Sequence, residues 1–149
     1  MKKLIIIAVS ILTIIFCGCS NKEVIEHNYI YTGENENWTA EYTVTGVGIF
    51  TEKDGRTNYE SEHKKRLEVT YKKDISNLAL VKNLEISYET SVGGGSSTLY
   101  WDDDESIMEK SFILSGVSRN GAIENKDETI KVSIDIDGNV EKIELKNKL

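Results

Sequence analysis

Carboxylates are the functional groups this chain carries in abundance, with 25 Asp and Glu against 18 Lys and Arg in 149 residues. Asp102, Asp103, Asp104 and Glu105 follow Tyr100-Trp101 without a break. Clustered hard oxygen ligands are what a Ca2+ loop needs, but the same run also serves as a solvated loop that keeps a strand edge soluble, and the second reading is preferred. Trp101 reads either as a core anchor or as a rim aromatic for ligand stacking beside the glycine-rich stretch Val92–Ser96. Asp135, Asp137, Asn139 and Glu141 superficially suit a cation loop, yet the glycine at 138 is misplaced for one, and a hairpin explains the segment better. Nucleophilic catalysis asks for a serine or cysteine with a base and an orienting acid. The two histidines, His27 and His63, stand in no nucleophile motif, and Ser96 and Ser97 lack a partner. Two histidines far apart in sequence are also too few for a zinc site. No catalytic or metal-ligating residue is assigned, and no cofactor is expected beyond the Ca2+ option at Asp102–Glu105.

The cysteines point elsewhere. Lys2 and Lys3 precede Leu4–Phe16, thirteen residues without a charge. That run is too short for a spanning helix, which needs about 20 apolar residues, and it suits a signal-peptide core of about 7–15. The segment Phe16-Cys17-Gly18-Cys19 that follows resembles the lipobox of bacterial lipoproteins. Gly18 matches the small residue before the modified cysteine and Cys19 the modified position, while Phe16 and Cys17 depart from the commoner residues. The resemblance implies cleavage before Cys19, a diacylglyceryl thioether on its sulfur, and a place on the extracytoplasmic face of the cell membrane. Residues 1–18 are then a leader, 19–28 a lipidated N-terminus and short tether, and 29–149 a single domain. Cysteine is consumed by this processing, so the fold must be held by its core rather than by disulfides. The 131 remaining residues are enough to bury about two-thirds of the unfolded surface.

Loss of Lys2 and Lys3 leaves 16 basic against 25 acidic residues, a net charge of −9. Nucleic acid is excluded as a partner on that balance, and anionic lipid is repelled, so membrane retention falls to the acyl chains. The one concentrated basic stretch, His63-Lys64-Lys65-Arg66, reads as a solvated strand face among Glu60, Glu62 and Glu68.

From Trp38 onward the pattern has a period of two. Trp38, Ala40, Tyr42 and Val44 alternate with polar residues, as do Leu67, Val69 and Tyr71, and Asp54-Gly55 between the runs is a type I′ hairpin signal. That turn predicts partners whose numbers sum to 109, setting Trp38 against Tyr71, Ala40 against Val69, Tyr42 against Leu67 and Phe50 against Tyr59. Val47 and Ile49 then fall on the wet face and Glu41 opposes Glu68, so a bulge or bend is expected at Gly46 and Gly48. Asp137-Gly138 predicts a second hairpin whose numbers sum to 275. Strands are further expected at Tyr29–Tyr31, Leu84–Tyr88, Ser97–Trp101 and Lys110–Val117, and no segment has a helical period with caps. About seven or eight strands indicate an antiparallel all-β domain, an immunoglobulin-like sandwich with a small barrel as the alternative.

Gly33-Glu34-Asn35-Glu36-Asn37-Trp38 resembles the Gly-Glu-x-x-Asn-Trp block near the mature start of small uncharacterised lipoproteins of Gram-positive bacteria. The resemblance implies location and β fold and supplies no catalytic residue. The expected function is a monomeric, membrane-held, non-enzymatic binding or interaction module for an envelope protein or ligand. An enzyme-inhibitor or immunity-type module, blocking its target with Val92–Ser96 or Asp102–Glu105, is the first alternative. A small hydrolase using an acidic pair is the second.

Overall fold

The computed structural model describes residues 21–148. The expected leader 1–18, with Cys17, and the lipidation site Cys19 lie outside the described residues. Eight antiparallel strands are present: β1 (Asn21–Glu34), β2 (Trp38–Lys53), β3 (Arg56–Tyr71), β4 (Asn83–Thr90), β5 (Gly93–Tyr100), β6 (Ser111–Arg119), β7 (Thr129–Ile136) and β8 (Asn139–Asn147). The one helical turn among the described residues is a 3-10 turn at Ile75–Leu78, capped by the Asp74 side chain on the Ser76 N–H.

The strands form one sheet in the order β5-β4-β7-β8-β1-β2-β3-β6. The two halves β6-β3-β2-β1 and β8-β7-β4-β5 are spliced by a short β1–β8 ladder, Tyr31 with Asn147 and Thr32 with Lys146. The sheet rolls until β5 and β6 approach across a seam lined by Leu99, Phe112 and Leu114, giving a nearly closed barrel of sandwich-like halves. Both turn-derived registers are observed. Trp38 opposes Tyr71 and Phe50 opposes Tyr59, while Ile130 opposes Leu145 and Val132 opposes Ile143. The turns have the positive φ that type I′ geometry demands, 53° and 70° at Asp54-Gly55 and 50° and 88° at Asp137-Gly138.

Alternation builds the core, because one parity of each strand faces inward. Trp38, Tyr31, Tyr42, Leu67, Leu84, Ile134 and Leu145 are fully buried, and a buried side chain of this size contributes about 1.5–3 kcal/mol. Trp38 is the core anchor it was expected to be, its ring 4.8 Å from Tyr71 and 6.2 Å from Phe112.

Three expectations need correction. The tether assigned to residues 19–28 is strand from Asn21 onward, paired with β2 from Asn21 opposite Glu52 through Asn28 opposite Thr45. Gly46 and Gly48 mark no bulge, since the β2–β3 register runs unbroken past both. A side chain at Gly46 would strike Cα and Cβ of His63, so the glycine is needed for close approach. Val92–Ser96 is not a glycine loop either: Gly93 onward belongs to β5, and Gly94 and Gly95 lie against the backbone and ring of Tyr88.

Strand lengths give the molecule an axis. β2 and β3 each have sixteen residues, about 50 Å of strand, against eight or nine in β4 to β8. The starts of β1 and β3 and the end of β2 therefore project as a three-stranded arm beyond the barrel. At this near end lie Asn21, the Asp54-Gly55 turn and the connection 120–128. The far end gathers the β1–β2 turn, the segments 72–82 and 101–110, and the Asp137-Gly138 turn.

Candidate functional site

The far end is where the sequence-selected residues meet. Segments 72–82 and 101–110 close that end of the barrel with the buried side chains of Leu78, Val81 and Ile107. Each anchored residue holds a neighbour outward: Leu80 is 88% exposed and Met108 83%, and Tyr100 at the end of β5 is 75% exposed. These are the three most exposed large apolar side chains among the described residues. Burial of Val81 and Ile107 fixes Leu80 and Met108 on loops, where recognition residues are commonly presented.

Polar stitching makes this end rigid. The Lys82 N–H donates to Asp137 Oδ1 at 3.1 Å and the Asn83 N–H to the same oxygen at 2.8 Å. Lys82 Nζ donates to the Asp102 carbonyl at 2.9 Å and sits 3.2 Å from Asp103, and the Trp101 N–H donates to the Lys82 carbonyl at 3.0 Å. Lys82, two residues after Leu80, is therefore held between the Tyr100-Trp101 strand end and the β7–β8 turn. The β1–β2 turn is locked similarly. Asn35 Oδ1 accepts the N–H groups of Asn37 and Trp38, and the Asn35 and Asn37 amides grip the two oxygens of Glu141. The block Gly33–Trp38 is thus a structural clamp on β8.

Trp101 is half-buried against the core, and Asp102, Asp103, Asp104 and Glu105 are all exposed. Among the described residues no group of three or more His, Cys, Asp or Glu side chains is placed to hold a metal ion. The acidic run forms a rim beside Tyr100 and Leu80, joined at this end by Glu36, Asp74 and Glu109. Lys73 holds the Glu36 carboxyl below the usual carboxylate range, and the Ser76 N–H does the same for Asp74. Two acidic pairs are register partners, Glu85 with Asp135 and Glu41 with Glu68, the latter in an outer groove of about 480 Å³ shared with Thr32, Glu34 and Thr70. Arg66 takes up Glu68 at 2.8 Å.

A second polar group, at the near end, was illegible in the sequence. The stretch 63–66 is not a uniform solvated face, because strand alternation sends Lys64 and Arg66 outward and His63 and Lys65 inward. Lys65 Nζ lies 2.7 Å from Glu124 Oε1, whose side chain is wholly enclosed. Tyr42 donates to the same oxygen at 2.8 Å. Tyr31 donates to the Asn125 carbonyl and Ser61 to that of Gly121, both at 2.8 Å. These bonds draw connection 120–128 across the barrel mouth as a polar plug. Burial, reinforced by Glu124, pushes the Tyr42 phenol far above its ordinary value, so it remains a donor. His63 is buried with no partner on either ring nitrogen, and Gly46 opposes both His63 and His27 in the register. Burial, with the Lys65 ammonium adding to it, lowers the affinity of His63 for a proton.

No family model, curated protein or solved structure matches this chain. Among the described residues no helix is long and apolar enough to cross a membrane.

Proposed function

We propose that this chain is a lipid-anchored protein of the outer face of the bacterial cytoplasmic membrane, working as a non-enzymatic interaction module that docks an envelope protein through its far end. The observation that carries the reading is the axial separation of anchor and apolar tips. Cys19 stands two residues before β1, whereas Leu80, Tyr100 and Met108 project from the opposite end. Exposed apolar side chains on braced loops, rimmed by charge, are what a protein interface uses. The acidic rim selects a partner whose matching surface is basic. The same loop tips also favour the inhibitor or immunity-type reading, in which the docked partner is an enzyme and binding lowers its activity.

Two experiments test this. Cys19→Ala should abolish lipid labelling and membrane retention; retention unchanged from the parent would defeat the anchor. A photo-crosslinking residue at Leu80 or Met108 of the anchored protein in its own envelope should capture a discrete partner that a probe at Lys64, on the barrel side, does not. Equal capture from both places would defeat the far end as the docking surface.

A further inference from the structure

The arm at the near end sorts its charges by face. On the face continuous with the barrel exterior, Lys53 and Arg56 are paired at the tip. Lys22, Thr51 and Asn58 form the next row, and Val24, Ile49 and Glu60 the one above. The acids of the first rows, Glu23 and Glu52, have the opposite parity and lie on the inner face. Lys22, Lys53 and Arg56 form no ion pair among the described residues, whereas Lys72, Lys73 and Lys82 at the far end are each bonded to a carboxylate. Val24 is 51% exposed beside this cationic row. Asp54 in the turn and Glu60 in the third row are the acids on this side, so the foot has no basic surplus as a whole; its outer side gathers three cations in the two lowest rows with Val24 above them, a basic and apolar strip of the kind that rests on a bilayer interface.

Chain length puts this foot at the membrane. Asn21 is two positions after Cys19, a reach of at most about 7 Å. The headgroup layer of one leaflet is about 5–7 Å deep. The hairpin tip extends past the Asn21–Glu52 row at the same end as the start of β1. We infer that the outer face of the arm's foot, through Lys22, Lys53 and Arg56, docks on lipid phosphates and holds the barrel tilted on the bilayer rather than swinging from its acyl chains. The inference rests on the anchored reading and adds a second, protein-made contact to it.

The test uses the lipidated full-length product, in which Cys19 is acylated and Cys17 removed. Asn58→Cys and, as a far-end control, Asp103→Cys each carry a fluorophore. The proteins are reconstituted in vesicles of phosphatidylcholine and phosphatidylglycerol bearing a headgroup spin label. The probe at 58 should be quenched and the probe at 103 should not. The triple variant K22Q/K53Q/R56Q should release the probe at 58, lowering the docked-to-free ratio by about five-fold per cation removed. All three side chains are exposed, so the variant keeps its core, and circular dichroism checks this. With Cys19 shown acylated by mass spectrometry, a probe at 58 no more quenched than that at 103 overturns docking alone. Quenching at 58 that survives the triple substitution overturns the role of the cations. A chain carrying no lipid overturns the anchored reading and this inference with it.

Discussion

Removing the Lys65 charge should destabilise the barrel more than removing that of Glu124, although the two form one ion pair. Lys65 Nζ and Glu124 Oε1 are 2.7 Å apart, with side-chain exposures of 15% and 0%. Lys65→Met keeps the aliphatic stem and leaves an enclosed carboxylate with only the Tyr42 hydroxyl at 2.8 Å and that of Thr90 at 3.5 Å. Breaking a buried pair from one side costs about 3–5 kcal/mol. Glu124→Gln keeps an acceptor for Tyr42 and leaves an ammonium close enough to solvent to turn outward, so its cost should be about 1–3 kcal/mol. In a domain of this size 1 kcal/mol moves Tm by about 3–5 °C, so Lys65→Met should lower Tm by about 10–20 °C and Glu124→Gln by less. Lys65→Met combined with Glu124→Leu should recover most of the loss, since no buried charge remains. Urea unfolding followed by Trp fluorescence, on the chain beginning at Ser20, measures all three. A Lys65→Met protein within about 0.5 kcal/mol of its parent, or one more stable than Glu124→Gln, would refute the account of the plug.

Other outcomes follow from single sites. Burial disfavours the charged form of His63, so in the window below the unfolded value of about 6.5 the unfolded chain binds more protons and stability falls as pH falls. His63→Leu should flatten that part of a stability-versus-pH profile, and an unchanged slope would exclude His63 as its source. Gly46→Ala drives a methyl into His63 and the Glu62 carbonyl and should cost about 1–3 kcal/mol by urea denaturation; a neutral effect would show that β2 and β3 can separate there. Gly138→Ala places a side chain at φ 88° and should cost about 1–2 kcal/mol by urea denaturation.

Much of the sheet was legible because its turns and its alternation carry the same message. Asp54-Gly55 and Asp137-Gly138 fix two registers locally, and the inward residues then agree from row to row. The arm was not legible, since nothing in Asn21–Asn28 distinguishes a polar strand paired on one edge from a tether. Nor was the plug: Lys65 and Glu124 are brought together only by closure of the barrel, and alternation hid Lys65 within a basic run. Asp102–Glu105 was visible as an acidic loop, but nothing in the sequence marked Leu80 and Met108 as exposed. Their exposure follows from the burial of Val81 and Ile107 beside them, which local pattern cannot assign. Gly46 and Gly48 were noticed for the right reason, an anomaly in strand β2, and explained wrongly, since a close neighbour rather than an extra residue demands Gly46, and the Tyr59 ring lies against Gly48.

The fourteen residues of β1, paired along their whole length with β2, have a mechanical meaning once the chain is held at Cys19. With the proposed anchor and far-end partner, a pull between them would load this strand lengthwise. Its hydrogen bonds then share the force in shear and must fail together, instead of peeling one after another as they would if tension entered across the sheet.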